Sequence, residues 1–515
     1  MLIIYSWYLT YPLSTVSAND FVFNHISILY WISLPLLFGS MFLMAVTTKS
    51  NLLKWLLSIG IVLTFFSLSY FYSMMSGGGI DSQFYRGLTE YFIKTKSLDP
   101  SQVNHSYYQW PGFFVLADVV TSVSGLSLAS YGFLLYTIIG VLLATALYVY
   151  GTRKYTNYGI IVVAAYFIVI SGYINYQAVP FSLALGLLFL LFMLETRKRS
   201  GSLIVTMLVL YSALLITHLF VAVFFVLYLL ARSLFDKNSQ NKRLYRSLFL
   251  ITFIGWFIVQ FNLARFSFDQ IVVNITKSPV DSYSIIASNT FTSFQSSSSL
   301  TNTVNVTAQF FSRTVIIAFA GLCVAGLILL LIKRKMNALE KAILFTGVVY
   351  SGLGAVLNTL GWRAIAVAFI PFSLGAAFLF QGRFKRYLVG LFLVLLVLTI
   401  FVPLHQSFSN NQIANQTREN YIADNFFLNH YNWEKPSIIA VDFGTQNYLT
   451  NKLSVYYYIS NQWLSIVDKA DTILYTPQMV GLELGNYSSM ESLSKGEGLN
   501  LLYNDGSSFV LIKPS

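Results

Sequence analysis

The residues with most to offer chemically lie between Gly77 and Phe114, in the string GGGIDSQFYRGLTEYFIKTKSLDPSQVNHSYYQWPGFF. Phe84, Leu88, Tyr91 and Phe92 recur there at helical spacing, which predicts an amphipathic helix lying along a membrane surface. Asp81 stands at its start, where the helix dipole favours a carboxylate. It reads either as an N-cap or as a base able to take a proton from a hydroxyl. Glu90 and Lys94 form an i,i+4 pair on the wet face, with Glu90 a further acid candidate. Arg86 precedes Glu90 by four residues and can pair with it or bind a phosphate. His105, Tyr107, Tyr108 and Trp110 can stack on a sugar face or belong to the interfacial aromatic belt. Asp118, inside the apolar run 113–128, is either a second acid or the partner in a structural hydrogen bond. Two more residues come from far along the chain. His218 sits between two short apolar runs, where a titratable group is costly and often functional. A turn histidine bonded to a neighbouring carbonyl accounts for it equally. Arg363, after Trp362, is a bidentate phosphate ligand or an arginine snorkelling at a helix end.

These residues must be positioned by helices in lipid. The 515 residues are 56% hydrophobic and only 10% charged, with a mean hydropathy of +0.64. A soluble domain carries roughly 25% charged residues. About 20 apolar residues cross the hydrocarbon core as a helix that satisfies its own backbone. Such runs lie near 27–47, 55–75, 131–150, 158–175, 179–195, 202–217, 219–235, 246–262, 312–332, 341–359, 363–380 and 386–404. The apolar run 1–17 lacks the basic start of a signal peptide and is a candidate for one more crossing. The expected fold is therefore an all-α polytopic membrane domain of about 12–13 helices over residues 1–417, followed by a small C-terminal domain over 418–515.

The formal net charge of +12 does not point to nucleic acid, because the basic residues cluster in short loops between apolar runs. Lys49 and Lys54, Arg153 and Lys154, Arg197–Arg199, Lys237–Arg246, Lys333–Lys335 and Arg383–Arg386 fall in alternate loops, which the positive-inside pattern makes cytosolic. The other set is then outside: the loops 76–130 and 263–311, three tight turns, and everything after 404. Five N-x-[ST] sequons, at Asn104, Asn274, Asn305, Asn415 and Asn486, all fall in that outer set. The loop 263–311 is rich in Ser, Thr and Asn and reads as a mobile connector. The expected localisation is a cell membrane, multi-pass, with the C-terminal domain extracytosolic. That domain reads as α/β, with strands at 437–443 and 472–476, a helix over TQNYLTNKLS, and a hairpin around Asn504-Asp505-Gly506.

An outer loop with Asp81, then Phe84-Tyr85-Arg86 on an interfacial helix, then Trp110-Pro111-Gly112-Phe113-Phe114 re-entering the membrane, resembles the GT-C class. These are polytopic glycosyltransferases, including oligosaccharyltransferases and protein mannosyltransferases. Three further strings are similar to archaeal members: NYQAVPFSLALGLLFLLF (175–192), LLITHLF (214–220) with its outer-turn His218, and Trp362-Arg363 before AIAVAFIPF. The resemblance implies Asp81 as the catalytic carboxylate and Arg363 as the contact to a lipid phosphate. The Trp-Trp-Asp-Tyr-Gly signature of oligosaccharyltransferases is absent. The nearest string, Val441-Asp442-Phe443-Gly444, lacks both tryptophans, which argues against an asparagine acceptor.

Transfer from a polyprenyl(dolichyl)-phosphate sugar needs a base for the acceptor hydroxyl, a cation for the leaving phosphate and an apolar groove for the lipid. Asp81 and Arg363 fill the first two roles, with Arg86 competing for the phosphate. Direct displacement predicts inversion at the anomeric carbon. The cofactor is left open: a divalent metal is compatible with the sequence but not required by it, since Cys323 is the single cysteine and no paired-acid metal motif stands in the second half of the outer surface. The expected partners are the lipid bilayer and the polyprenyl-phosphate donor, with no nucleic acid. The rival expectation is a multi-pass transporter or flippase of a lipid-linked or small polar substrate, although transporters usually carry paired halves and helices broken at mid-membrane. An inactive scaffold subunit is a third.

Overall fold

The computed structural model describes residues 26–65, 110–155, 158–171, 179–195, 200–263, 300–357, 361–382 and 385–404, several residues between 85 and 96, Arg197, and five strands between 437 and 512. Thirteen helices are described: α1 (Ile28–Thr47), α2 (Asn51–Phe65), α3 (Gly112–Ser124), α4 (Leu128–Lys154), α5 (Gly159–Ser171), α6 (Pro180–Glu195), α7 (Gly201–Thr217), α8 (Leu219–Phe235), α9 (Ser239–Leu263), α10 (Leu300–Ile332), α11 (Ala338–Leu357), α12 (Gly361–Leu379) and α13 (Lys385–Leu398). Each of the twelve apolar runs read from the sequence overlaps one of them, and α3 falls in the shorter apolar run 113–128. Among the described residues four helical stretches are long and apolar enough to cross a membrane, at 28–47, 130–154, 306–332 and 385–404. Others, such as α5 with 13 residues and α6 with 16, are apolar but shorter.

The packing follows from where the apolar residues stand. In α5 every residue from Ile160 to Ile170 is buried, as expected of a helix that is hydrophobic all round. It touches α2, α4, α10 and α12. Around it, neighbour contacts run α1–α2–α4–α6–α8–α11–α12–α10–α13 and back to α1, a closed circuit. Two pairs of helices come unusually near because small residues meet: a Cβ on Gly326 of α10 or Gly375 of α12 would overlap the other's backbone, and Gly347 of α11 lies on Ala368. The outward faces are apolar. On α1 the exposed series is Ile28, Ile32, Leu36 and Leu43; on α9 it is Leu250, Ile251, Ile254, Phe257 and Ile258. A water-facing surface does not carry such long apolar stripes.

Helix ends are set by local chemistry. Ser27, Ser127 and Ser200 cap α1, α4 and α7 through side-chain oxygens that accept backbone N–H groups. Asn337 caps α11, and Glu340 bonds back to the Asn337 N–H, a reciprocal capping box. The basic ends gather on one face. Lys333 and Lys335 both lie over the Phe378 ring, Lys385 lies over Tyr158, and Lys154 pairs with Glu340. This face is the one formed by the loops that the basic pattern makes cytosolic.

The largest departure from the sequence reading is at α10. It begins at Leu300, well inside the segment 263–311 expected to be a mobile connector. Its 33 residues span about 50 Å at 1.5 Å per residue, against roughly 30 Å of hydrocarbon. Counting apolar residues finds only the part a membrane would cover, and LTNTVNVTAQFFSR contains no Gly or Pro to stop the helix earlier. Likewise α9 starts at Ser239, where Asn238 accepts the Gln240 N–H, rather than at 246.

Near the C-terminus five strands form one mixed sheet: β1 (Ser437–Ala440), β2 (Val455–Tyr456), β3 (Thr472–Tyr475), β4 (Asn500–Asn504) and β5 (Phe509–Ile512), in the order β2-β1-β3-β5-β4. β1 is parallel to both β2 and β3, and β5 is antiparallel to β3 and β4. The expected hairpin is present, but Asn504 pairs with Phe509, so its loop is longer than an Asp-Gly turn and a bulge falls between Leu501 and Tyr503. β2 was not anticipated. The expected helix over TQNYLTNKLS and the run 1–17 lie outside the described residues.

Candidate functional site

The face opposite the basic ends collects residues from four elements. Trp110 packs against Phe220 and Val223 of α8 and Trp256 of α9. His218 is the single residue between α7 and α8, extended at φ −161° and ψ 116°, and 2% exposed. Its N–H donates to the Leu214 carbonyl and its own carbonyl accepts from Ala222 N–H, so His218 ends the ladder of α7 and opens that of α8. The imidazole meets Phe181 of α6 edge-on, with centroids 5.6 Å apart, and Phe220 at 6.0 Å. Tyr350 of α11 donates its hydroxyl to the Phe220 carbonyl at 2.6 Å. Phe220 is thus the shared wall of Trp110 and His218, two residues more than a hundred positions apart.

Gly112 makes this approach feasible. A Cβ there would fall 2.7 Å from Thr217 Oγ1 and 3.0 Å from the Ile216 carbonyl oxygen. Gly112→Ala is expected to cost about 1–3 kcal/mol through overpacking, because the obstructing carbonyl is backbone and cannot swing aside. Unfolding of the purified protein in detergent measures it, and an unchanged midpoint would contradict the close seating of the Trp-Pro-Gly segment on the α7–α8 turn.

Ahead of this segment, Tyr85, Leu88, Thr89 and Phe92 are all buried, at helical spacing. Tyr85 reaches Phe113 of α3 with ring centroids 6.2 Å apart. Of the four residues that the sequence pattern nominates, Leu88 and Phe92 are on this buried face and Phe84 and Tyr91 lie outside the described residues; Tyr85 is buried beside them. The segment closes at Lys96, whose N–H bonds to the Phe92 carbonyl and whose φ of 50° is left-handed. Lys96 Nζ then binds both oxygens of Asp118, at 2.6 and 2.7 Å, and Ser122 Oγ donates to the same carboxylate at 3.1 Å. The Lys96 hydrogen bond holds the Asp118 carboxyl below its ordinary range, so it stays ionised and engaged. Asp118 is thus held in an ion pair at a partly exposed position.

Of the other sequence-predicted residues, Arg363 lies in the first turn of α12, directly after α11, with its side chain outside the described set. Asp81, Arg86, Glu90, His105 and Tyr108 also lie outside the described residues. Among the described residues no three His, Cys, Asp or Glu side chains come together.

Sequence reasoning missed the polar groups at the basic face. Glu195 of α6 accepts a hydrogen bond from the Tyr245 hydroxyl of α9 and lies 3.4 Å from Arg232 Nε of α8; Arg232 also pairs with Asp236 at 2.8 Å. The signal was present: an acid closing an otherwise apolar helix rarely stands there without a partner. No family model matches the sequence, and no curated protein matches it.

Proposed function

We propose that the chain is a membrane glycosyltransferase that moves a sugar from a polyprenyl-phosphate donor to an acceptor on the extracytosolic face. The observation that carries this reading is the seating of Trp110-Pro111-Gly112 against the Thr217-His218 turn, with the buried Tyr85–Phe92 face leading into it. A first outer loop folded onto a histidine-bearing outer turn is the layout the GT-C resemblance implies. In this reading Asp81 removes the proton of the acceptor hydroxyl as the hydroxyl oxygen attacks the anomeric carbon. The bond to the phosphate oxygen breaks with inversion, and Arg363, assisted by Arg86, neutralises the departing phosphate. His218, His105, Tyr108 and Trp110 bound the sugar and acceptor. The bilayer supplies the medium for the lipid chain, and the C-terminal sheet lies on the same side as the site.

The test is transfer from a radiolabelled polyprenyl-phosphate sugar to hydroxyl acceptors, with the purified full-length chain in liposomes. Labelled product with an inverted anomeric centre is expected. Absence of product with any hexose donor, together with substrate-dependent flux across the liposome, would replace this reading with the transporter.

A further inference from the structure

The basic face carries a cluster that transfer chemistry at the other end of the helices does not use. The chain leaves α10 through a left-handed residue, Arg334 at φ 52°, with the Lys335 N–H bonded to the Leu330 carbonyl and the Arg334 N–H to that of Leu331. A left-handed conformation at a residue with a side chain costs free energy and persists only where neighbours hold it. Its effect here is to turn Lys333 and Lys335 back onto one ring: each ammonium is 5.6 Å from the centroid of Phe378. Lys385, at the start of α13, lies 5.4 Å over Tyr158, whose ring packs on Phe380 at 5.9 Å. Segments far apart in sequence thus lay three ammonium groups over two aromatic rings at the basic end of the helices, the buried Phe378 and the half-buried Tyr158.

Among the described residues no carboxylate pairs with them. The four carboxylates among the described residues, Asp118, Glu195, Asp236 and Glu340, are all in ion pairs with other cations. Lys333, Lys335 and Lys385 are all exposed. The apolar outer surface runs directly up to them: Ile328 and Ile332 are exposed on α10, as are Leu391 and Val394 on α13, the helix packed beside it.

We propose that this cluster is a binding site for one anionic phospholipid, its phosphate held by Lys333, Lys335 and Lys385 and its acyl chains lying along α10 and α13. The continuity of the ammonium groups with the apolar stripe selects a lipid over a free phosphate, which would gain nothing from Ile332 or Leu391. The site is independent of the glycosyltransferase reading.

The experiment uses the full-length protein from nanodiscs holding phosphatidylglycerol and phosphatidylcholine in equal amounts, with native mass spectrometry counting retained lipids. Selective retention of one phosphatidylglycerol is expected. Each charge near a membrane surface contributes about fivefold, so K333Q/K335Q/K385Q should weaken retention on the order of 100-fold. The triple Lys→Arg variant should retain the lipid, since the charges survive. K237Q/K242Q/R243Q, which removes the same charge from another basic loop, should leave retention unchanged. Equal loss in that control would reduce the site to general surface attraction and overturn the proposal. So would displacement of the lipid by millimolar inorganic phosphate, or equal retention of phosphatidylcholine.

Discussion

Asp81→Asn is expected to lower sugar transfer by about 10²- to 10⁴-fold while the protein expresses and folds normally. The substitution keeps the size and much of the hydrogen bonding of an N-cap but removes the group that accepts the proton. If Asp81 served only as a cap, stability would fall by about 1 kcal/mol or less and transfer would survive. Arg363→Lys separates the second role. It keeps a positive charge but loses the two-pronged geometry that fits a phosphate, so the KM for the donor should rise more than kcat falls. The two variants therefore differ in kind: one slows turnover with saturating donor, the other is largely rescued by it. Transfer at the wild-type rate in the Asp81→Asn protein would end the proposed mechanism and leave Glu90 and Asp118 as the next carboxylates to test.

The helices were legible because burial in lipid leaves a long, composition-level trace. α1, α6, α7 and α8 fall within about a residue of the apolar runs that announce them. The trace fails where a helix continues into water, as α10 does for its first turns, because its polar residues look like a loop to any count of apolar length. Nor does helical spacing alone single out Tyr85, whose burial follows from its packing against Phe113, far along the chain. In the site, His218 and Trp110 stand out in sequence as polar or amphipathic groups at the ends of apolar runs. Phe181, Phe220, Trp256 and Tyr350, which pack around these two residues and one another, are indistinguishable in sequence from the many aromatics that merely fill the core. Their role is set by long-range packing, which no local pattern encodes. The basic loops illustrate the same limit from the other side: read for orientation alone, they conceal that Lys154 has a specific partner.

That partner makes Lys154→Met the substitution with the largest expected effect on stability. Glu340 is almost fully buried, and its carboxylate serves two elements at once. One oxygen accepts the Lys154 ammonium of α4 and the Asn337 backbone N–H, while the other accepts the Asn337 side-chain amide at 3.2 Å. Removing the lysine leaves a buried carboxylate with only neutral donors, a change that costs about 3–5 kcal/mol when a buried pair is broken from one side. The lysine keeps some contact with solvent, so the loss belongs at the lower end of that range. Glu340→Gln alone should cost less, because glutamine still closes the capping box and Lys154 can turn toward water. The decisive measurement is the double variant Lys154→Met/Glu340→Gln in detergent unfolding. It should be more stable than Lys154→Met alone, since the second substitution removes the stranded charge that the first creates. Additive losses would mean that the two residues do not share one interaction, and that α4 and α11 are joined by packing alone.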